Sequence, residues 1–350
     1  MTRFIAAQTV LTQGVQMGAF PAAVIEVGHS RGVLWQQAFG TLTKDNGSPP
    51  ATLDTVFDLA SLTKVLATTT LAMTAVSRGA IKLDSTIRDW LPDWRGSDRS
   101  SVTIRNLLDH SSGLTAHLPF FRDHKGREEF ERAICTMPLE YVPLSLSLYS
   151  DLGFILLGFI LEDLYSETLG SSFQALTLQH GWGELQFRPP SNWAKRTAPT
   201  EIDPWRGRLL VGEVHDENAW ALGGMAGHSG LFGTAPAVGS FARTIITRAL
   251  QRQPAIASAD VVAAFLTQST VPNSSRALGW DTMRTTSSCG ARMSSTAFGH
   301  TGFTGTSLWI DPNADLYVVL LTNRVHPTRE NNSILDIRPA LHDAVMDDLN

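Results

Sequence analysis

The residues with the clearest chemical potential are Ser61 and Lys64, in the run Ser61-Leu62-Thr63-Lys64. A serine hydroxyl is a weak nucleophile and needs a neighbouring group to activate it. On a helix, positions i and i+3 share a face, so this spacing brings the amine to the hydroxyl. A serine that opens the helix also feels the positive N-terminal potential, which favours an alkoxide and the oxyanion formed by acyl attack. Lysine is scarce here: the chain has five lysines, and none among the 155 residues after Lys195. An S-x-x-K taken alone is nonetheless a weak signal.

Two further segments carry reactive side chains. Tyr149-Ser150-Asp151 opens a helical pattern over 151–164, with Asp151 expected as its N-cap. His300-Thr301-Gly302 precedes a strand pattern over 306–311. Motifs of other chemistries are missing: there is no phosphate-binding G-x-x-x-x-G-K-[ST], no zinc-binding H-E-x-x-H and no G-x-S-x-G elbow. The glycines at 224, 227, 230 and 233 fit no nucleotide fingerprint and read as close backbone packing. His215-Asp216-Glu217, with His228 beyond it, lacks regular ligand spacing, so no metal and no cofactor is expected. His110, His117 and His124 fall seven apart, but Pro119 breaks any shared helix, and they read as surface or core histidines.

The elements that must position these residues follow from periodicity. A helix is expected over 3–17, then a hairpin of PAAVIEV and GVLWQQAFG joined by GHSRG. A long helical pattern covers Leu59 to Ser77 and stops at Gly79. Helices follow over 103–110, 127–136, 151–164, 171–179, 236–252 and 258–268. Strands return as TSLWIDP and DLYVVLLTN, and a helix over 335–348 closes the chain. This order makes the chain α+β. Residues 1–78 and 270–350 are expected to form an α/β domain with a central antiparallel sheet. Residues 79–269 are expected to form a mostly helical insert, with the site between the two.

Composition narrows the partners. With 350 residues, 43% hydrophobic and 17% charged, the chain can build a sizeable core. A net charge of −5 shows no basic excess, which argues against nucleic acid. The longest apolar stretch, GFILLGFIL at 153–161, is too short to span a bilayer. The first residues lack a signal-peptide pattern, so the cytoplasm is the expected compartment unless a leader has been removed. Cys135 and Cys289 read as reduced, packed thiols, and the nine tryptophans as scattered core and surface positions. The sequence carries no signal of oligomeric state.

In the order SLTK, YSD and HTG, the chain resembles the serine β-lactamase and penicillin-binding-protein superfamily. Its signatures are S-x-x-K, then Y-x-N or S-x-N, then K-T-G or H-T-G. LLDHSSGL at 107–114 and GGMAGHSGLFGTA at 223–235 accompany them, and the resemblance spans roughly residues 18–325. It implies a β-lactamase/transpeptidase-like fold: an antiparallel sheet flanked by N- and C-terminal helices, plus an inserted all-helical domain. It implies a small-molecule or peptide substrate and an acyl-enzyme on Ser61, with Lys64 and Tyr149 sharing the acid–base work. His300 takes the place of the K-T-G lysine, and Thr301 and Gly302 line the strand that pairs with substrate. The N–H groups of Ser61 and Phe303 form the oxyanion hole.

Two departures shift the implied activity. H-T-G resembles a branch of D-Ala-D-Ala carboxypeptidases, D-aminopeptidases and some esterases, and a neutral histidine attracts a carboxylate less than an ammonium does. Asp151 replaces the usual asparagine, so it cannot donate to a substrate's acyl-amide carbonyl, and near Lys64 it favours the ammonium. Tyr149 is then expected to carry more of the base role. VHDENAWALGGMAGHSGLF is also similar to a subgroup that includes amidases cutting the lactyl-peptide bond of muramic acid. The expected activity is an amidase or peptidase on cell-wall-derived or D-amino-acid peptides. The alternatives are a carboxylesterase, a weak β-lactamase or a non-catalytic ligand-binding relative.

Overall fold

Residues 22–27 contain one polar side chain, Glu26, and residues 316–321 are apolar throughout, as expected of strands buried on both faces. In the computed structural model, which describes residues 4–249 and 256–349, these two segments pair in the interior of a sheet. The chain begins with α1 (Ile5–Gln16), β1 (Ala22–His29), β2 (Gly32–Gly40) and β3 (Phe57–Asp58). A π-helical stretch, Lys64–Thr69, continues as α2 (Thr70–Ser77). Helices α3 (Ile104–Leu108), α4 (Gly126–Thr136), α5 (Asp151–Tyr165) and α6 (Leu169–His180) follow. Short strands β4 (Leu185–Phe187), β5 (Ile202–Asp203) and β6 (Arg208–Leu209) precede α7 (Glu217–Ala221) and β7 (Leu231–Gly233). Next come α8 (Ala235–Ala249) and α9 (Ala259–Leu266). The chain ends with β8 (Asp281–Thr282), β9 (Phe298–Thr301), β10 (Ser307–Asp311), β11 (Leu316–Thr322) and α10 (Ile334–Leu349).

The main sheet has the order β2-β1-β11-β10-β9-β8, with all pairings antiparallel. Alternate residues of the central strands point to opposite faces. Ile25, Val27, Val318 and Leu320 pack with α1 and α10, whereas Val24, Val319 and Leu321 face the core that contains α8. Glu26 is buried on the α8 side, where Arg243 Nη1 (2.8 Å) and the Tyr317 hydroxyl (2.7 Å) donate to its carboxylate. Helix α8 therefore packs on the sheet, although the sequence-based division assigns it to the helical insert; we propose that it belongs with the sheet. No helix among the described residues is long and apolar enough to cross a membrane. Cys135 and Cys289 are free and buried, and burial pushes both thiols up to about 12.

Three expectations need correction. The helix after β3 begins at Leu62, not Leu59. His300 and Thr301 belong to β9 itself, a four-residue strand, and do not merely precede β10. Residues 217–221, outside every expected helix, form the short helix α7. Residue 3 of the first helix pattern and residues 250–252 of the 236–252 pattern lie outside the described residues.

The glycine-rich stretch packs as its composition suggests. A Cβ on Gly227 would stand 2.0 Å from the carbonyl oxygen of Phe154, inside α5. The same residue's carbonyl accepts the Thr68 hydroxyl at 2.6 Å, which ties this loop to the π-helical stretch. Gly227→Ala is expected to lower unfolding free energy by about 1–3 kcal/mol through overpacking, measured by urea denaturation. An unchanged midpoint would mean that α5 and the loop separate without cost.

Candidate active site

Ser61 stands on a constrained turn. Asp58 closes β3, and its carboxylate accepts the N–H of Ala60 (2.8 Å) and of His215 (2.7 Å). Burial raises the Asp58 pKa, and those two backbone donors oppose the rise. The clamp holds Ala60 at φ 47°, a left-handed conformation costing on the order of 1–3 kcal/mol for a residue with a Cβ. This explains why the helix cannot start before Leu62. Thr304 and Thr306 donate their hydroxyls to the carbonyls of Asp58 (2.7 Å) and Leu59 (3.0 Å), fastening the β9–β10 turn to the same segment. Gly302 allows that contact, because a Cβ there would lie 2.6 Å from the Leu59 carbonyl oxygen.

Lys64 is fully buried and spends all three ammonium donors. They reach Ser61 Oγ at 3.0 Å, Asp151 Oδ1 at 2.7 Å and the His228 carbonyl at 3.1 Å. A carboxylate and a carbonyl can only accept, so this environment holds the amine as an ammonium. Burial would lower the Lys64 pKa, but Asp151 and Tyr149 together outweigh it and the net shift is upward. Burial would likewise raise Asp151, yet Lys64 and His117 hold the carboxyl well below the usual carboxylate range. Asp151 is free for this pairing because it is not the N-cap of α5. Ser150 is: its Oγ accepts the Gly153 N–H at 3.2 Å and donates to the Thr115 carbonyl at 2.7 Å.

Tyr149 sits beside this pair, with its ring centroid 4.8 Å from Lys64 Nζ. Burial lifts its phenol above the usual value, and the Lys64 ammonium opposes that. His300 is buried next to Tyr149, ring centroids 5.7 Å apart. Its Nδ1 lies 2.8 Å from the Thr301 carbonyl, which requires an N–H there and leaves Nε2 without a partner. Burial, together with Arg276 and Lys64, drives its pKa well below the usual value, so this position carries no cation at neutral pH. The N–H groups of Ser61 and Phe303 have no acceptor among the described residues.

A cavity of about 680 Å³ brings together Ser61, Tyr149, Asp151, His300, Thr301, Gly302 and Phe303. Lys64 lies behind Ser61, outside the lining. Four other residues at the site were not assigned to it by sequence reasoning. Arg276 lines the cavity and stacks 5.1 Å from the Tyr149 ring centroid. His215 stacks on the exposed Phe303 ring and bonds Glu201 at 2.8 Å. His110 and His117 are not bystanders: His110 is buried 4.8 Å from the Tyr149 ring, its Nδ1 accepting the Ser150 N–H at 3.0 Å, and His117 lines the cavity. LLDHSSGL was the one signal that pointed to His110. The His215-Asp216-Glu217 side chains take protein partners (Glu201, His228 and Arg329), and no metal-binding cluster of three or more occurs among the described residues. No tryptophan lines the cavity.

Comparison with known proteins identifies the family. The Beta-lactamase family model fits residues 7–339. An N-acetylmuramyl-L-alanine amidase of Bacillus subtilis (strain 168) is 29% identical over 346 residues, covering 88% of this chain and 78% of that protein. An Escherichia coli (strain K12) protein named by inference as a D-alanyl-D-alanine carboxypeptidase is 29% identical over 357 residues, covering 90% of this chain and 81% of the other. The crystal structure of a class C beta lactamase from Rhodobacter sphaeroides superposes with a TM-score of 0.76 at 20% identity, covering 99% of both chains.

The Lys64–Asp151 pair also sets a pH dependence. Folding lowers the Asp151 pKa, so its stabilisation is present above the unfolded carboxylate value of about 4 and is lost as pH falls below it. Asp151→Ala strands a buried ammonium and is expected to cost about 3 kcal/mol at pH 7. It should also flatten the loss of stability below about pH 4, as measured by denaturant titrations across pH. An equally steep acid limb in the variant would assign that limb to other carboxylates.

Proposed function

Because the chain belongs to the Beta-lactamase family and is a serine hydrolase, we propose that it forms an acyl-enzyme on Ser61 and cleaves amide bonds in cell-wall-derived or D-amino-acid peptides. The observation that carries this reading is the spent ammonium of Lys64, held by Ser61, Asp151 and the His228 carbonyl. Since Asp151 keeps the charge on Lys64, the base is the minor, ionised form of Tyr149, which burial disfavours and the Lys64 ammonium favours. This phenolate is paired with the ammonium. It takes the Ser61 proton as Oγ attacks the substrate carbonyl, and the oxyanion is received by the N–H groups of Ser61 and Phe303. Tyr149 then protonates the departing amine, and acyl-Ser61 remains. Water attacks the ester, its proton passing to the Tyr149 phenolate and from there to Ser61 Oγ as the C–Oγ bond breaks and the acid is released. The names of the two relatives, an amidase and a D-alanyl-D-alanine carboxypeptidase, support an amide as the scissile bond. Free, buried Cys135 and Cys289 suit a reducing compartment, and the cytoplasm is part of the same proposal.

A fluorophosphonate probe should label the wild type and not Ser61→Ala, and intact-mass measurement during turnover should find the acyl group on Ser61. Tyr149→Phe is expected to lower kcat/KM by about 10²–10⁴-fold; near-normal activity would remove Tyr149 as the base. A substrate panel decides the bond: muramyl-peptide or D-Ala-D-Ala cleavage supports the proposal. Turnover of short p-nitrophenyl esters alone would make the protein an esterase, and fast nitrocefin hydrolysis a β-lactamase.

A further inference from the structure

Two tryptophans stay exposed in a chain that buries most of the others. Trp205 is 43% exposed and Trp220 37%, and neither belongs to the hydrophobic core. With Phe121 they form an ordered cluster. Phe121 and Trp205 meet edge to face with ring centroids 4.7 Å apart, and Trp205 and Trp220 do so at 5.3 Å with their planes 88° apart. Three separate segments supply the rings: the turn after Pro119, the β5–β6 turn and α7.

Each segment is fixed to the wall of the cavity that holds Ser61. Asn218 Oδ1 accepts the Phe121 N–H at 2.9 Å, and its Nδ2 donates to the Leu118 carbonyl at 2.8 Å, next to His117 in the cavity wall. Arg206 lies over the Trp205 ring at 5.9 Å and is held by Asp203 at 2.7 Å. It also donates to the Val214 carbonyl at 2.8 Å and to the carbonyl of His215, which lines the cavity. Glu217 lines the cavity too. Trp220 stands three residues on along α7, on the same face and about 4.5 Å further along the axis. The cluster therefore borders the cavity on its α7 side.

We propose that Phe121, Trp205 and Trp220 form a platform for a pyranose ring joined to the scissile amide, so that the substrate class is a sugar-linked peptide and not a free peptide. The role rests on the reading of Ser61 as the acylated nucleophile. A pyranose has a face of C–H groups and a rim of hydroxyls. Weakly positive C–H groups suit the negative face of an aromatic ring, and hydroxyls need polar neighbours. The platform carries both. Glu213 accepts the Trp220 indole N–H and takes Arg208 Nη2 on both oxygens, at 2.6 and 2.7 Å, while the Arg122 guanidinium lies 5.8 Å from the Phe121 ring. A wholly apolar group seated here would cut those charges off from water with no hydrogen bond in return. The exposed Ile202 and Leu209 pair on the other face of the β5–β6 hairpin from Asp203 and Arg208, and so stand apart from the platform. Rings already packed against one another lose little freedom when a ligand arrives, which keeps the cost of recognition small.

The test compares N-acetylmuramyl dipeptide with the same dipeptide on D-lactate, which keeps the scissile amide and lacks the sugar. In the wild type, kcat/KM should favour the muramyl substrate. Trp205→Ala and Trp220→Ala should each cut the ratio of the two by about three- to tenfold, mainly through KM. Trp220→Phe, which keeps a ring face, should restore part of it. Equal kcat/KM for the two substrates in the wild type, or equal proportional losses for both in the alanine variants, would overturn the platform. Binding without turnover separates the two ideas. N-acetylmuramic acid, followed by saturation-transfer NMR on Ser61→Ala, should give a signal that weakens when Trp205→Ala is added. That signal in a protein whose Ser61 no fluorophosphonate labels would overturn the hydrolase reading and leave the sugar site standing. No such signal, in a protein whose wild type is labelled and active, would overturn the platform alone. A dimer that Trp205→Ala dissociates, seen by light scattering, would make the patch a contact between copies of this chain and overturn the sugar role.

Discussion

A charged amine placed where water cannot reach it is tolerated only if each of its protons meets an acceptor. For Lys64 those acceptors come from Ser61 on the turn that leads into its helix, from Asp151 at the head of α5, 87 residues on, and from the His228 carbonyl, 164 residues on. Much of the local architecture keeps these three in register. Ser150 takes over the capping of α5 and so releases the Asp151 carboxylate. Gly227 has no side chain and lets its loop lie against α5, which delivers the neighbouring carbonyl of His228. The π-helical stretch is wholly buried, and Thr68 within it ties back to the same loop. π-Turns of this kind recur at functional sites, where they re-aim side chains that a regular helix would misplace.

The rest of the site is kept nearly free of competing positive charge on the imidazoles that touch Tyr149. His110 and His300 are both buried and both driven far toward the neutral form, chiefly by burial and then by Arg276 and Lys64. The tyrosine is therefore flanked by neutral rings and faces two cations, the Lys64 ammonium and the Arg276 guanidinium. Fixed cations of this kind provide electrostatic preorganisation, since no dipole has to turn when charge develops.

Much of this was legible in the sequence because it depends on local spacing. Ser61 and Lys64 meet because three residues make nearly one helical turn, and strands at both chain ends flanking a helical middle foretold a sheet built from both termini. Other features are decided by partners far along the chain. Ser150 and Asp151 are both good capping residues, and only the approach of Lys64 determines which of them caps. The late start of the nucleophile's helix depends on Asp58 holding Ala60 in a left-handed turn, which no periodicity reveals. Strand β9 is four residues at the weak side of the sheet, too short to stand out. Arg276, His110 and His117 have no motif spacing, and tertiary packing alone brings them to the cavity.

The β1–β11 pairing joins Ala23 to Thr322, so one of these two interior strands is made near the beginning of synthesis and the other near its end. Closing so long a loop costs little more entropy than closing a shorter one, because the penalty grows only with the logarithm of length. The delay is the larger consequence. While the ribosome is still adding the helical middle, β1 has a partner on only one side, and Ser61 and Lys64 exist without Thr301, Gly302 or the Phe303 N–H. An emerging chain thus carries Ser61 and its helix long before it carries the opposite wall of the cavity. That cavity is complete only when the final strands dock.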